Sequence, residues 1–166
     1  MSMPKRVIKF TLDEKDIDRA ITEVTQFKNE LLEKCKQLVE ALTEHGAEVA
    51  RLQVRKLDAV YSGELMNSID GYYSSNSNVG IIRAGAYYAA YVEFGTGVVG
   101  SRAPHPDPQN WQYDVNQHGD KGWVYYDDEN GQFRWTKGFK SRPFMYNTAM
   151  QLEKECLKIA QDVFGR

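Results

Sequence analysis

The chain of 166 residues is 42% hydrophobic and 27% charged, the size and balance of one compact globular domain. Its 21 basic and 23 acidic residues give a net charge of -2, which leaves no surplus to neutralise a phosphate backbone and excludes a dedicated nucleic-acid wrapper. The first ten residues carry only isolated apolar side chains, unlike a signal peptide or a spanning helix, so a cytoplasmic protein with no membrane partner is expected.

After a short β-like run at Val7, Ile8 and Phe10, Thr11 and Glu14 have capping-box spacing, and Asp13, Asp16 and Asp18 lie where a helix dipole favours acid. A helix is predicted to start here. Ile17, Ile21, Val24, Leu31, Cys35, Leu38, Leu42, Val49 and Leu52 continue one apolar stripe at steps of three and four, broken at Lys28 and His45. Unbroken from Asp13 to Leu57, the helix would run roughly 68 Å, whereas a domain of this size has a radius of gyration of about 15 Å. It must therefore bend, with Gly46 the weak point, or overhang its own domain and finish its burial on a neighbour. Cys35 and Cys156 lack CxxC spacing and fall on apolar helical stripes, so both read as small buried hydrophobes with no redox or zinc role.

Ser62 and Gly63 interrupt the pattern, and Glu64 to Ile69 suits one helical turn. Tyr72 to Ser75 and Val79 to Arg83 form a predicted hairpin around Asn76 to Asn78. Tyr87 to Phe94 is a short helix candidate stopped by Gly95. From Gly97 to Lys121 the chain is rich in Gly, Pro, Asn and His, and Pro104, Pro106 and Pro108 favour an extended, unpaired backbone. Few periodic apolar residues fix this long loop, so it is expected to order mainly on assembly. Trp123 to Tyr126 and Phe133 to Thr136 flank Asn130-Gly131, a strong hairpin signal, with Val124, Tyr126, Phe133 and Trp135 on one packing face. Ser141 and Pro143 open a last amphipathic helix with Ala149, Leu152, Cys156, Ile159 and Val163 inward. The expected fold is α+β: a single domain over residues 1–166, with a long N-terminal helix and a C-terminal helix packed on a small antiparallel sheet, and a long loop, 97–121, inserted.

Three segments carry a resemblance: Ser62-Gly63-Glu64-Leu65 running on to Asn67-Ser68-Ile69, then Tyr88-Ala89-Ala90-Tyr91-Val92-Glu93-Phe94-Gly95-Thr96, then Arg142-Pro143-Phe144-Met145 ahead of Ala149. Together, and in this order, they resemble the tail-component family of tailed phages, the gene 10 product-like and minor tail Z-like proteins of tail completion and head-tail joining. The resemblance implies a structural, non-enzymatic protein of the virion tail or neck, made in the bacterial host cytoplasm. It implies a homo-oligomeric ring, a hexamer by expectation, between a tail tube or tail terminator protein and a head connector or stopper protein. DNA contact would be incidental, in the ring lumen, and no cofactor or metal is implied.

The expected interface residues are Ile17, Ile21 and Val24 on the overhanging stripe, and Trp111, Tyr113, Trp123 and Tyr125 in or beside the loop, aromatics of the kind enriched at interfaces. The resemblance also brings Glu93 near Arg142, as an ion pair across a subunit boundary or a local one fixing the Gly95 turn. Phe94, Pro143 and Phe144 read as core residues. Arg51, Arg55 and Lys56 would either face DNA or complement the helix C-terminus.

The alternative function is a small metal-dependent hydrolase using His105, Asp107, His118 and Asp120, two His and two Asp in one loop. A proline-studded loop does not hold ligands as rigid elements do, and the acidic run before Gly131 lacks the spacing of a calcium loop. No GxSxG, Walker, GxGxxG or HExxH string occurs.

Overall fold

The computed structural model describes residues 7–59, 63–127 and 130–165. Helix α1 runs from Glu14 to Lys56, 43 residues without interruption, or about 64 Å at the standard rise. Asp13 is its N-cap residue, in extended conformation. The expected pairing of Thr11 with Glu14 is replaced by one with Asp16, whose Oδ2 accepts from the Thr11 hydroxyl at 2.7 Å and from the Thr11 N–H at 3.3 Å. Acid at the first turn (Glu14, Asp16) and base at the last (Arg55, Lys56) complement the helix dipole.

Gly46 is a contact point within α1, and the helix continues through it. A Cβ there would run into Ile82 and Leu152, so the missing side chain lets a hairpin and the last helix close onto α1 at the same level. The hairpin is β1 (Ile69–Ser74) and β2 (Val79–Ala84), antiparallel with Tyr72 opposite Ile81, and it follows the one-turn helix α2 (Glu64–Asn67). Gly71 and Gly80 rest on Thr43 of α1, where side chains would collide with it. The last helix, α5 (Phe144–Phe164), lies antiparallel along α1. Gln53 meets Gln151 at 3.1 Å, His45 meets Glu155 at 2.5 Å, and Lys34 Nζ donates to the Val163 carbonyl at 2.7 Å.

The core gathers at the C-terminal end of α1: Ala47, Ala50 and Val54 pack with Leu65, Ile69, Ala86, Ala89, Val92 and Phe144. No residue of α1 before Thr43 is buried. Since α5 ends level with Lys34, residues 14–33 run past it for about 30 Å. The tip of the β1–β2 hairpin, at Tyr73 and Asn78, flanks α1 between Asn29 and Val39. Cys35, expected to be buried, is exposed because it lies on this thinly covered stretch, and Cys156 is half-buried.

The second half of the chain departs from expectation in two respects. After α3 (Ala89–Phe94), which ends at Gly95 with φ +82°, residues 97–121 hold a helix, α4 (Gly97–Arg102), and a single 3-10 turn (Gly119–Lys121), where an unpaired loop was expected. Strands β3 (Trp123–Asp127) and β4 (Gln132–Thr136) form a second, separate two-stranded sheet. Their register, Asp127 opposite Gln132, makes the Asn130-Gly131 connection four residues long; Asp128 and Glu129 of that turn lie outside the described residues, as does Ser62 of the first turn. The pairs Val124–Trp135 and Tyr126–Phe133 put the four apolar residues on one face as predicted. That face is not packed: Val124 is 61% exposed, Tyr126 50%, Phe133 75% and Trp135 59%. Strand β5 (Gly138–Phe139) bridges back to Thr96 and Gly97, tying this hairpin to α4. The fold class is α+β, with a long N-terminal helix, a C-terminal helix and two small antiparallel hairpins.

Candidate functional site

A buried carboxylate, that of Glu93, is 6% exposed at the end of α3. Its Oε2 accepts from the Met145 N–H at 2.8 Å, and its Oε1 accepts from the Tyr146 N–H at 2.9 Å. Both amides belong to the first turn of α5, whose own N-cap residue is Pro143 and offers no side-chain oxygen. Glu93 thus caps α5 from another element, placing a carboxylate at the positive end of the helix. His105, also buried, completes the site with Nε2 at 3.0 Å from Glu93 Oε1. The other ring nitrogen, Nδ1, lies 2.7 Å from the Asp107 carbonyl and 2.9 Å from the Asp107 N–H, so either of two neighbours can satisfy it whichever proton state the ring takes.

The resemblance implied an ion pair between Glu93 and Arg142, local or across a subunit boundary; within the chain the carboxylate is paired with His105 instead. Arg142 joins the same junction through its backbone, its N–H donating to the Val92 carbonyl at 2.9 Å, while its guanidinium sits 5.9 Å from the Phe139 ring and Nε has no hydrogen-bond partner among the described residues. The Ser141 hydroxyl donates to the Glu93 carbonyl at 2.6 Å. Three segments that are remote in sequence therefore meet at one carboxylate, and its histidine partner comes from the loop that was expected to be free.

The loop is held there by aromatic rings. Trp111 stacks on Phe94 at 4.9 Å and donates from Nε1 to the Gly95 carbonyl at 2.9 Å. Tyr113 accepts the His105 N–H on its hydroxyl at 3.1 Å, and its carbonyl accepts the Gly97 N–H at 2.5 Å. Gly97 and Gly100 are needed here: both have side-chain space filled by neighbours, Trp123 and Tyr113 among them. Trp123 packs beside His118 at 5.0 Å. Of the aromatics expected at an interface, Trp111, Tyr113 and Trp123 are thus half-buried and engaged within the chain, and Tyr125 is exposed.

The residues of the hydrolase alternative do not converge. His105 faces Glu93, His118 Nδ1 lies 3.4 Å from Asp114, Asp120 meets Arg102 at 3.3 Å, and Asp107 touches His105 only through its backbone. No cluster of three or more His, Cys, Asp or Glu suited to a metal ion occurs among the described residues. Asp114 instead organises its own turn, accepting from the N–H groups of Gly119 and His118, which hold its carboxyl below the usual range. Of the basic patch, Arg51 donates to the Ile69 carbonyl at 2.6 Å and Arg55 contacts Met66. These two arginines thus tie α1 to α2 and β1.

On the overhang, Ile17 is half-buried, Ile21 is 59% exposed and Val24 54% exposed, with Phe27 beside them at 40%. Among the described residues, no helix is long and apolar enough to cross a membrane. Compared with protein-family models, with curated proteins and with solved structures, the chain matches none of them.

Proposed function

We propose that this chain is a structural subunit, not an enzyme, of a phage or phage-like tail, closing into a ring at the head-proximal end where the tail is completed and joined to the head. The observation that carries this reading is the overhang of α1: an uninterrupted run of helix whose apolar residues Ile21, Val24 and Phe27 are left exposed by the described residues, with Ile17 half-buried at its start. Apolar surface in one strip is a liability for a solitary protein and marks an association site. A head-to-tail contact that closes by rotation turns such a strip into a ring. Two of the segments bearing the resemblance support this, since "YVEFGT" and "RPF" meet at the Glu93 junction through hydrogen bonds of the Glu93 carboxylate and of their backbones. The partners are a tail tube or terminator protein on one side and a head connector or stopper on the other. The protein works in the virion neck, without cofactor, and contacts DNA at most incidentally in the lumen.

Light scattering on the protein alone, and mixed with a tail-tube protein, tests the reading. A closed oligomer of defined mass, with six subunits expected, that binds the tube is the expected result. A monomer at all concentrations that ignores the tube overturns it.

A further inference from the structure

Among the described residues, two apolar faces are largely exposed: the N-terminal stripe of α1 at Ile21, Val24 and Phe27, and the outer face of the β3–β4 hairpin formed by Val124, Tyr126, Phe133 and Trp135. We infer that they belong together, the overhanging helix of one subunit lying across the β3–β4 hairpin of the next copy of the chain. The inference rests on the ring reading and names the surfaces that close it.

Charge complementarity selects this pairing. The first turns of the stripe carry acid at their edges, Glu14 and Asp18 along one and Glu23 along the other, by the 3.6-residue period, while Asp16 is paired with Arg19 at 3.1 Å. Two such helices face to face would set like charges along both rims, which disfavours a helix-on-helix contact. The open end of the hairpin is basic. Lys137 Nζ lies 5.6 Å from the centre of the Trp135 ring at the edge of the apolar face, and the Trp135 Nε1 donates to the carbonyl of Lys121. The acidic first turns of α1 therefore belong over the open end of the hairpin, with the helix running on toward the Asn130-Gly131 turn.

The two faces are of comparable length but unequal size: Val124, Tyr126, Phe133 and Trp135 are 50–75% exposed, and Ile21, Val24 and Phe27 are 40–59% exposed. Because the two faces differ, the contact is heterologous, and each subunit gives its helix to one neighbour and its hairpin to the other.

Ile21→Glu and Phe133→Glu each place a charge in one face at an exposed position, so both should keep the far-ultraviolet circular dichroism of the parent. Each variant alone is expected to be monomeric by sedimentation. An equimolar mixture should form a dimer and stop there, because only the Phe133→Glu chain has an intact helix and only the Ile21→Glu chain an intact hairpin. A mixture that stays monomeric overturns the pairing. If Phe133→Glu assembles to the parental mass while Ile21→Glu does not, the ring stands and the hairpin is not the seat of the helix. If the parent itself is monomeric, it is the ring reading that fails, and the pairing with it. Should Phe133→Glu lose its fold, Val124→Glu on the same face is scored in the same way.

Discussion

Replacing Glu93 with alanine should be among the most damaging single changes available in this chain, although the residue belongs to no active site. The carboxylate accepts three hydrogen bonds, from Met145 N–H at 2.8 Å, Tyr146 N–H at 2.9 Å and His105 Nε2 at 3.0 Å, in a site that excludes water. Loss of a helix N-cap costs about 1 kcal/mol. Removing one partner of a buried ion or hydrogen-bonded pair costs about 3–5 kcal/mol, because the other is left without compensation. These contributions share the same atoms and do not add, so the expected loss is about 3–5 kcal/mol. At roughly 2–4 °C per kcal/mol for a domain of this length, the melting temperature should fall by some 6–20 °C.

Glu93→Gln keeps one acceptor oxygen but turns an amide NH2 toward a donor, and should cost about half as much. Urea unfolding followed by tryptophan fluorescence and circular dichroism measures both, provided the slope with denaturant is unchanged. A double-mutant cycle of Glu93→Gln with His105→Gln should show coupling above about 1 kcal/mol. A loss below about 1 kcal/mol for Glu93→Ala would refute the claim that this carboxylate holds α3, the loop and α5 together.

Phe144, 1% exposed where α5 enters the core, should cost about 3–5 kcal/mol on truncation to alanine; a denaturant melt within 1 kcal/mol of the parent would place it outside the core. Gly46→Ala adds a good helix former to the middle of a helix, a change worth up to about 1 kcal/mol in favour of folding. Here the new methyl meets Ile82 and Leu152, and overpacking of about 1–3 kcal/mol should win, so a rise in thermal stability would contradict the packing described. Acid should destabilise the fold through Asp70, Asp114 and Glu155, all held below their ordinary values: Asp70 by Arg83, Asp114 by the Gly119 and His118 amides, and Glu155 by His45. Their folded values lie below the unfolded ones, so their contribution is complete above the ordinary values of 3.8 and 4.5 and is lost as pH falls through the folded ones. Urea melts from pH 7 down to pH 3 should show this decline, and Asp114→Asn should make it shallower; an unchanged slope would remove Asp114 from the account.

Elements whose signal is local were legible in the residues themselves. The three-and-four stripe from Ile17 to Leu52 specifies α1, Asn130-Gly131 specifies the second hairpin, and Ser141 with Pro143 marks the entry to α5, because turn chemistry, proline's fixed φ and amphipathic period act over a few residues. The shared face of Val124, Tyr126, Phe133 and Trp135 was legible for the same reason: alternation follows from strand geometry alone. Whether that face would be covered was not, since burial depends on what the rest of the chain brings to it, and here the core closes instead on the C-terminal end of α1 through Gly46, Gly71 and Gly80. The partner of Glu93 was likewise beyond the sequence. Glu93 and Arg142 have opposite charges and neighbouring backbones, but His105 takes the carboxylate because Trp111 and Tyr113 pin the loop onto Gly95 and Gly97. That choice rests on contacts between segments far apart in the chain, and only the tertiary packing decides which of two plausible partners a buried charge receives.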